Sequence, residues 1–324
     1  MQFPNFYIGP MSKNVVDLII SKKFNNKFGI IASRRQIDFN SGYCCNWKTF
    51  QFINYVRKKN SKILICRDHG GINQGLIKDD GYKSFEDDSK YFNIIHLDPF
   101  ILHQDIKKAS EITLNYINFL NKKNKNLYFE VGTEETIFKY EPQGLFYLLN
   151  YLKNNLTKRT FQKIIYAVIQ TGTKLNLSKM KNESSFNQKR TMEFLKIVKN
   201  FGILSKEHNG DYQIDNGTFK DKLSIGIDAL NFAPEFGQIE TLEYLKRCSL
   251  NKTLFNKLYS QCLRSKKWVK WVNNKTRISK KEIILISCHY LLSNDIFIKN
   301  IKSKFPDIDQ EIKIKIREKL QKLI

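Results

Sequence analysis

Short apolar runs recur along this chain, and each gives way to a longer stretch with apolar residues at helical spacing. The runs are "FYIGP" (Phe6–Pro10), "FGIIAS" (Phe28–Ser33), "KILICRD" (Lys62–Asp68), "NIIHLDP" (Asn93–Pro99) and "LYFEVGT" (Leu127–Thr133). "IIYAVIQTG" (Ile164–Gly172), "ILSKEH" (Ile203–His208) and "LSIGIDAL" (Leu223–Leu230) complete a set of eight. Rich in β-branched and aromatic residues and bounded by Gly, Pro and Asn, they read as strands. Helical spacing marks Lys13–Lys23, Trp47–Lys59, Lys83–Tyr91, Ile106–Asn121, Gln143–Leu156, Asn187–Phe201 and Phe236–Arg247. Strictly alternating strands and helices predict an α/β fold with a parallel sheet, and eight units predict a (β/α)₈ TIM barrel over residues 1–249. The sixth and eighth runs are nearly continuously apolar, as strands buried on both faces are. Residues 250–324 carry helical patterns only, in "KTLFNKLYSQCLRSKKWVKWV", "SKKEIILISCHYLL" and "DQEIKIKIREKLQKLI". They are expected to form a C-terminal helical extension that packs on the barrel or on a partner.

In such barrels the chemistry sits at the C-terminal ends of the strands. The second run ends in Ser33-Arg34-Arg35-Gln36 and the third in Arg67-Asp68-His69-Gly70-Gly71. The fourth holds His96 and Asp98, and the fifth holds Glu130 and leads into Glu134-Glu135. Gln170 closes the sixth, Glu207-His208-Asn209-Gly210-Asp211 the seventh, and the eighth carries Asp228. Three of the five histidines, His69, His96 and His208, therefore fall at strand ends, whereas His103 and His289 are set aside. A charged pair such as Asp68-His69 between a buried strand and a Gly-Gly turn needs partners that offset its desolvation. Imidazoles and a carboxylate from separate strands can hold a divalent metal, with Zn²⁺ the expected ion, and leave a position open. His69, His208 and His96 are the candidate ligands. Asp68, Glu134 and Asp98 are the candidate acid–base groups. Arg34, Arg35, Gln36, Gln170 and Asp211 are the candidate substrate-binding residues, the arginines because a guanidinium grips phosphate through two bonds.

The formal charge of +24 raises the question of nucleic acid. The lysines are spread along the chain, and no zinc-finger or RNA-recognition signature accompanies them, so a solvated basic surface and attraction of anionic substrates are expected instead. No apolar run approaches the ~18 residues of a membrane span, and "MQFPNFYIGP" lacks the layout of a signal peptide. A cytoplasmic protein that binds neither nucleic acid nor membrane is the expectation. The six cysteines form no C-x-x-C pair and read as buried thiols.

"QIDFNSGY" (Gln36–Tyr43), Asp68-His69-Gly70, "IIHLD" (Ile94–Asp98), "VGTEE" (Val131–Glu135), "AVIQTG" (Ala167–Gly172), "EHNGDY" (Glu207–Tyr212) and "IGIDALNFAPEFGQIETL" (Ile225–Leu242) follow one another in order. With these segments the chain resembles the tagatose-bisphosphate aldolase subunits of the GatZ/KbaZ type, relatives of the metal-dependent class II aldolases. The resemblance implies a TIM barrel, a phosphorylated ketose as substrate, and Gln36, Asp68, His69, Asp98, Glu134, His208 and Asp211 as site residues. It also implies that the Asp-His pair supplies an acid–base group and a metal ligand. "ASRRQID" departs from the pattern with its two arginines. Subunits of this type are commonly described as non-catalytic partners of a separate aldolase chain. Three functions follow as expectations: an aldolase-like lyase, a stabilising subunit whose helical tail with Trp268 and Trp271 meets a second aldolase chain or another copy, and a sugar epimerase or isomerase.

Overall fold

The computed structural model describes residues 3–24, 27–183, 186–272, 277–292 and 295–324. Its strands β1 (Phe6–Ile8), β2 (Gly29–Ser33), β3 (Ile65–Gly70), β4 (Ile94–Leu97), β5 (Tyr128–Val131), β6 (Ile164–Val168), β7 (Leu204–Glu207) and β8 (Ala229–Phe232) are all parallel and close into a barrel. Closure is made by β1 on β8, with Phe6 opposite Leu230 and Ile8 opposite Phe232. The chain is a (β/α)₈ TIM barrel, with a helix after every strand.

The pleat sorts each strand into two faces. Ile95, Leu97, Phe129, Val131, Ala167 and Leu230 join the core between sheet and helices. Tyr7, Ile31, Cys66, Ile94, Tyr166 and Ala229 form a separate cluster inside the barrel. Helices meet the outer face through stripes of their own. Ile106–Lys123 buries Ala109, Thr113, Tyr116, Ile117 and Leu120, and Asp105 caps it by accepting from the Lys108 amide at 2.8 Å.

The eighth strand differs from its expectation. Thr218–Ser224 is a helix, Gly226 turns the chain with φ +105°, and pairing begins only at Ala229. The run Leu223–Leu230 is apolar because the half-buried Leu223 and Ile225 at a helix end and the buried Ala229 and Leu230 at a strand start both pack on the core, and the glycine between them separates the two. Asp228 consequently lies at the N-terminal end of β8, where it accepts from the amide and hydroxyl of Ser205, both at 2.8 Å. It is remote from the C-terminal mouth.

After Pro234–Ser249 the chain continues as helices Lys252–Arg264, Lys280–Ser287, Asp295–Lys304 and Ile308–Gln321. The last buries Ile308, Ile312, Ile316 and Leu320 against Pro234–Ser249 and Lys13–Ile19. Among the described residues no helix is long and apolar enough to cross a membrane. All six cysteines are free thiols, and only Cys45 is partly exposed.

Glu240, on Pro234–Ser249, is buried against this junction, accepting from the Ser12 hydroxyl and from Asn14. Burial, reinforced by Asp309 and opposed by Ser12, Lys302 and Asn14, pushes its pKa from 4.5 up to about 7. The folded chain thus holds this proton more tightly than the unfolded chain does. The stabilisation is complete below about pH 4.5 and is lost as pH rises through 7. Urea midpoints at pH 5 and pH 8 are expected to show the wild type losing about 3 kcal/mol relative to Glu240→Gln; equal pH dependence of the two proteins would contradict the assignment.

Candidate functional site at the C-terminal mouth

The inward face of the barrel is apolar low down and polar two residues higher. Above Cys66 stands Asp68, above Ile94 stands His96, above Tyr128 stands Glu130, and above Ala229 stands Asn231. On β7 the same period leads from Leu204 through Lys206 to His208. Alternation would send His69 outward with Ile65 and Arg67. It does not, because β3 carries a bulge: Arg67 pairs with Ile95 but Gly70 with Leu97, so one residue is extra, and His69 adopts the left-handed conformation with φ +43°. Such a conformation costs a non-glycine residue about 1–3 kcal/mol. Its effect here is to bring both Asp68 and His69 to the mouth. Arg67, left on the outer face, makes a two-toothed pair with Asp88 at 2.6 and 2.8 Å in full burial.

His69, His96 and His208 form a triangle with ring centroids 4.7–5.3 Å apart. Each ring has one nitrogen tied from behind. His96 Nε2 is 2.9 Å from the Gly132 carbonyl, His69 Nδ1 is 2.6 Å from Asp98, and His208 Nε2 is 2.5 Å from Glu130. Gly132 has φ +105°, and a Cβ there would lie 3.0 Å from the Tyr140 hydroxyl, so glycine lets this carbonyl reach the ring. The second nitrogen of each ring faces Asp68 Oδ1, at 3.6 Å from His69 Nε2, 3.7 Å from His96 Nδ1 and 3.5 Å from His208 Nδ1, and His96 Nδ1 also accepts from the His69 amide at 3.2 Å. That oxygen is buried and has no hydrogen-bond partner.

This donor set fits a divalent cation. Ligand atoms of Asp68, His69, His96 and His208 lie within 4.8 Å of one another. Bonds of roughly 2.0–2.2 Å to a tetrahedral ion would set neighbouring donors about 3.4 Å apart, close to the three Asp68 separations. Carbonyl and carboxylate acceptors behind the rings are the partners that fix metal-binding imidazoles. Without a cation the site balances itself by protons. Burial works against charge on His69, but Asp68 and Asp98 outweigh it and raise its pKa to about 10. Burial likewise opposes charge on Asp68, yet His69, His96 and His208 hold it far below the usual carboxylate range. Burial pulls the His208 pKa down against the opposing pull of Glu130.

A cavity of about 530 Å³ opens above the cluster, lined by Asp68, His69 and His208. Of the other residues expected from the sequence, Arg35, Gln36, Glu134 and Asp211 line it too. Glu134 accepts from Thr136 at 2.7 Å and otherwise faces the cavity. Asp211 also fastens the start of Pro234–Ser249 by accepting from the amides of Ala233 and Glu235.

Three expectations need correction. Arg34 is 1% exposed and bound to Asp38, Asp79 and the Gly71 carbonyl, because the buried Asp38 carboxylate requires a cation; it does not reach the cavity. Gln170 is engaged with the Thr133 and Phe138 carbonyls, the Tyr140 amide and Arg190, and tightens the loop after β5. Asp98 is fully buried behind His69, where it also accepts from Thr133 and the Phe100 amide; it holds the His69 ring and does not line the cavity.

Several site residues escape sequence reasoning. Lys206 is wholly buried, 2.7 Å from Glu130 and over the Tyr7 ring at 3.8 Å. Burial opposes its charge, but Cys66 and Glu130 outweigh that and raise its pKa. It backs the His208–Glu130 contact from below, and the period from Leu204 is the signal that could have found it. Lys174, Asn231, Lys270, Trp271 and His289 line the cavity as well. Trp271, expected on a partner surface, is thus part of the cavity wall.

No family model matches the chain, and no curated protein matches it by sequence. Solved structures do match in fold. A probable tagatose 6 phosphate kinase from Sinorhizobium meliloti superposes with a TM-score of 0.73 at 14% identity, over 99% of both chains. The fructuronate-tagaturonate epimerase UxaE from Cohnella laeviribosi, complexed with one glycerol, gives 0.64 at 12% identity, over 99% of this chain and 81% of its own. These likenesses establish a shared barrel.

Chelator-stripped protein is expected to take up one equivalent of Zn²⁺, and Asp98→Asn to weaken that binding by about 10–100-fold while leaving the fold intact. Calorimetric titration of both proteins measures this, and unchanged affinity in the variant would remove Asp98 from the assembly.

Proposed function

We propose that this chain is a divalent-metal-dependent enzyme acting on a phosphorylated ketose, with aldolase-type carbon–carbon cleavage as its reaction. The observation that carries the reading is the buried, unpartnered Asp68 oxygen amid three imidazole nitrogens at the mouth of a barrel. A divalent ion held by His69, His96, His208 and Asp68 would polarise the ketose carbonyl and favour the charge that develops on its oxygen. The protein's own groups supply the rest. Glu134, with its open face to the cavity, accepts the proton of the hydroxyl next to the scissile bond. As that O–H bond breaks, a new carbonyl forms, the carbon–carbon bond opens, and its electron pair moves toward the ketose oxygen. Asp98, Glu130 and Gly132 keep the imidazoles aimed throughout. Arg35, Lys174 and Lys270 make the wall basic, which suits an anionic sugar.

The epimerase among the structural neighbours favours a second reading, inversion of a carbon centre on a ketose acid. Both readings need the same cation site and a proton acceptor in the cavity; they differ in whether two products or one leave.

Product analysis separates them. Zn²⁺-loaded protein incubated with a ketose bisphosphate is expected to release two triose phosphates, detected by NMR. The reaction should stop with chelator and fall by about 10²–10⁴-fold in Glu134→Gln with metal retained. A single epimeric product from a ketouronate would establish the second reading. Full metal loading with no turnover, together with tight capture of a separate aldolase chain, would assign the stabilising role instead.

A further inference from the structure

Beside the cavity over the histidines lies a second chamber of about 410 Å³. The two share Arg35, Tyr43, Lys270 and Tyr290 in their walls. The outer chamber adds Lys266 and Lys267, so its lining holds four cations and no carboxylate. Among the described residues none of these four side chains has an ion-pair partner. What sets them apart is that four cations share one concavity whose lining has no carboxylate. The concentration has a backbone cause. Helix Lys252–Arg264 ends, Lys266 takes a left-handed conformation with φ +53°, and a tight turn closes from the Val269 amide to the Lys266 carbonyl at 3.2 Å. That turn delivers Lys266, Lys267 and Lys270 to one concavity opposite Arg35, which arrives from the end of β2.

Holding like charges together is costly unless an anion joins them. Lys266, Lys267 and Lys270 are exposed along this concavity, where an anion from solvent can reach them. On the inner side, His289 lines the cavity over the histidines and packs on Tyr290, which both chambers share, with ring centroids 4.0 Å apart.

We propose that the outer chamber is the phosphate subsite, with Arg35, Lys267 and Lys270 gripping the phosphoryl group of a substrate whose carbonyl end reaches the histidines. This rests on the metal-dependent ketose chemistry proposed above and adds to it the position of the anion. The segment after Lys252–Arg264 then determines specificity, and the barrel of residues 1–249 by itself lacks the grip. A dianionic phosphate matches a cluster of this charge better than a single carboxylate does.

The test uses the full chain, stripped of metal, titrated calorimetrically with inorganic phosphate. Wild type is expected to bind, and the Lys267→Ala, Lys270→Ala double variant to bind about tenfold more weakly or worse. Lys107→Ala with Lys108→Ala, an exposed pair on a distant helix, removes the same charge and should leave binding unchanged. Absence of saturable phosphate binding in the wild type, or equal weakening by the two lysine pairs, would overturn the subsite. Metal content and turnover of the same proteins keep the two proposals apart. Phosphate binding without metal uptake would sink the reaction and support the subsite, whereas turnover with an unchanged KM in the Lys267/Lys270 variant would sink the subsite alone.

Discussion

Three imidazoles aimed at one carboxylate oxygen are the constraint around which this barrel is organised. An imidazole turns freely unless its second nitrogen is held, and here each is held by a different acceptor: the Gly132 carbonyl, Asp98 and Glu130. Asp98 and Gly132 come from the end of the strand next to that of their imidazole, and Glu130 reaches His208 across β6 from two strands away, so the closed sheet itself sets the aim. Glu130 in turn is kept ionised by Lys206 and His208, although its burial favours the neutral acid. The order of support runs from Tyr7 and Tyr166 at the middle of the barrel, through Lys206 and Glu130, to His208 at the mouth. Buried charges of this kind weaken a fold when left unpaired. Their presence in the barrel interior is explained by the site they align.

The bulge in β3 is the second requirement. A regular strand could offer Asp68 or His69 to the mouth, never both, because neighbours on a strand point to opposite faces. The extra residue and the left-handed His69 break that rule at one position, and Arg67 on the far side anchors the distortion through Asp88 and the carbonyls of Ala32 and Ile37. Arg34 does similar work one strand away, tying the loop that follows β3 to the end of β2 through Asp79 and Asp38.

Much of this was legible in the sequence. The eight β-rich runs gave the barrel, and polar strand ends gave Asp68, His69, His96 and His208, because strand order and pleat are local properties. What failed was non-local. Arg34 and Gln170 look like ligands for substrate until Asp79 and Arg190 fold onto them, and nothing near them in sequence announces those partners. Asp228 was misplaced because a helix end that packs on the core and a buried strand start read alike as apolar. Lys206 could have been found from the period of β7, since a lysine between Leu204 and His208 on the inward face must be buried. Lys270 could not, because its place at the mouth depends on how the C-terminal helices wrap over the barrel.

X-ray absorption at the zinc edge of the full chain, loaded with one equivalent of Zn²⁺, addresses the central claim most directly. The account predicts nitrogen and oxygen donors at about 2.0–2.2 Å with strong imidazole scattering, and loss of one imidazole contribution in His96→Ala. A sulfur donor near 2.3 Å, or a spectrum without imidazole scattering, would contradict it.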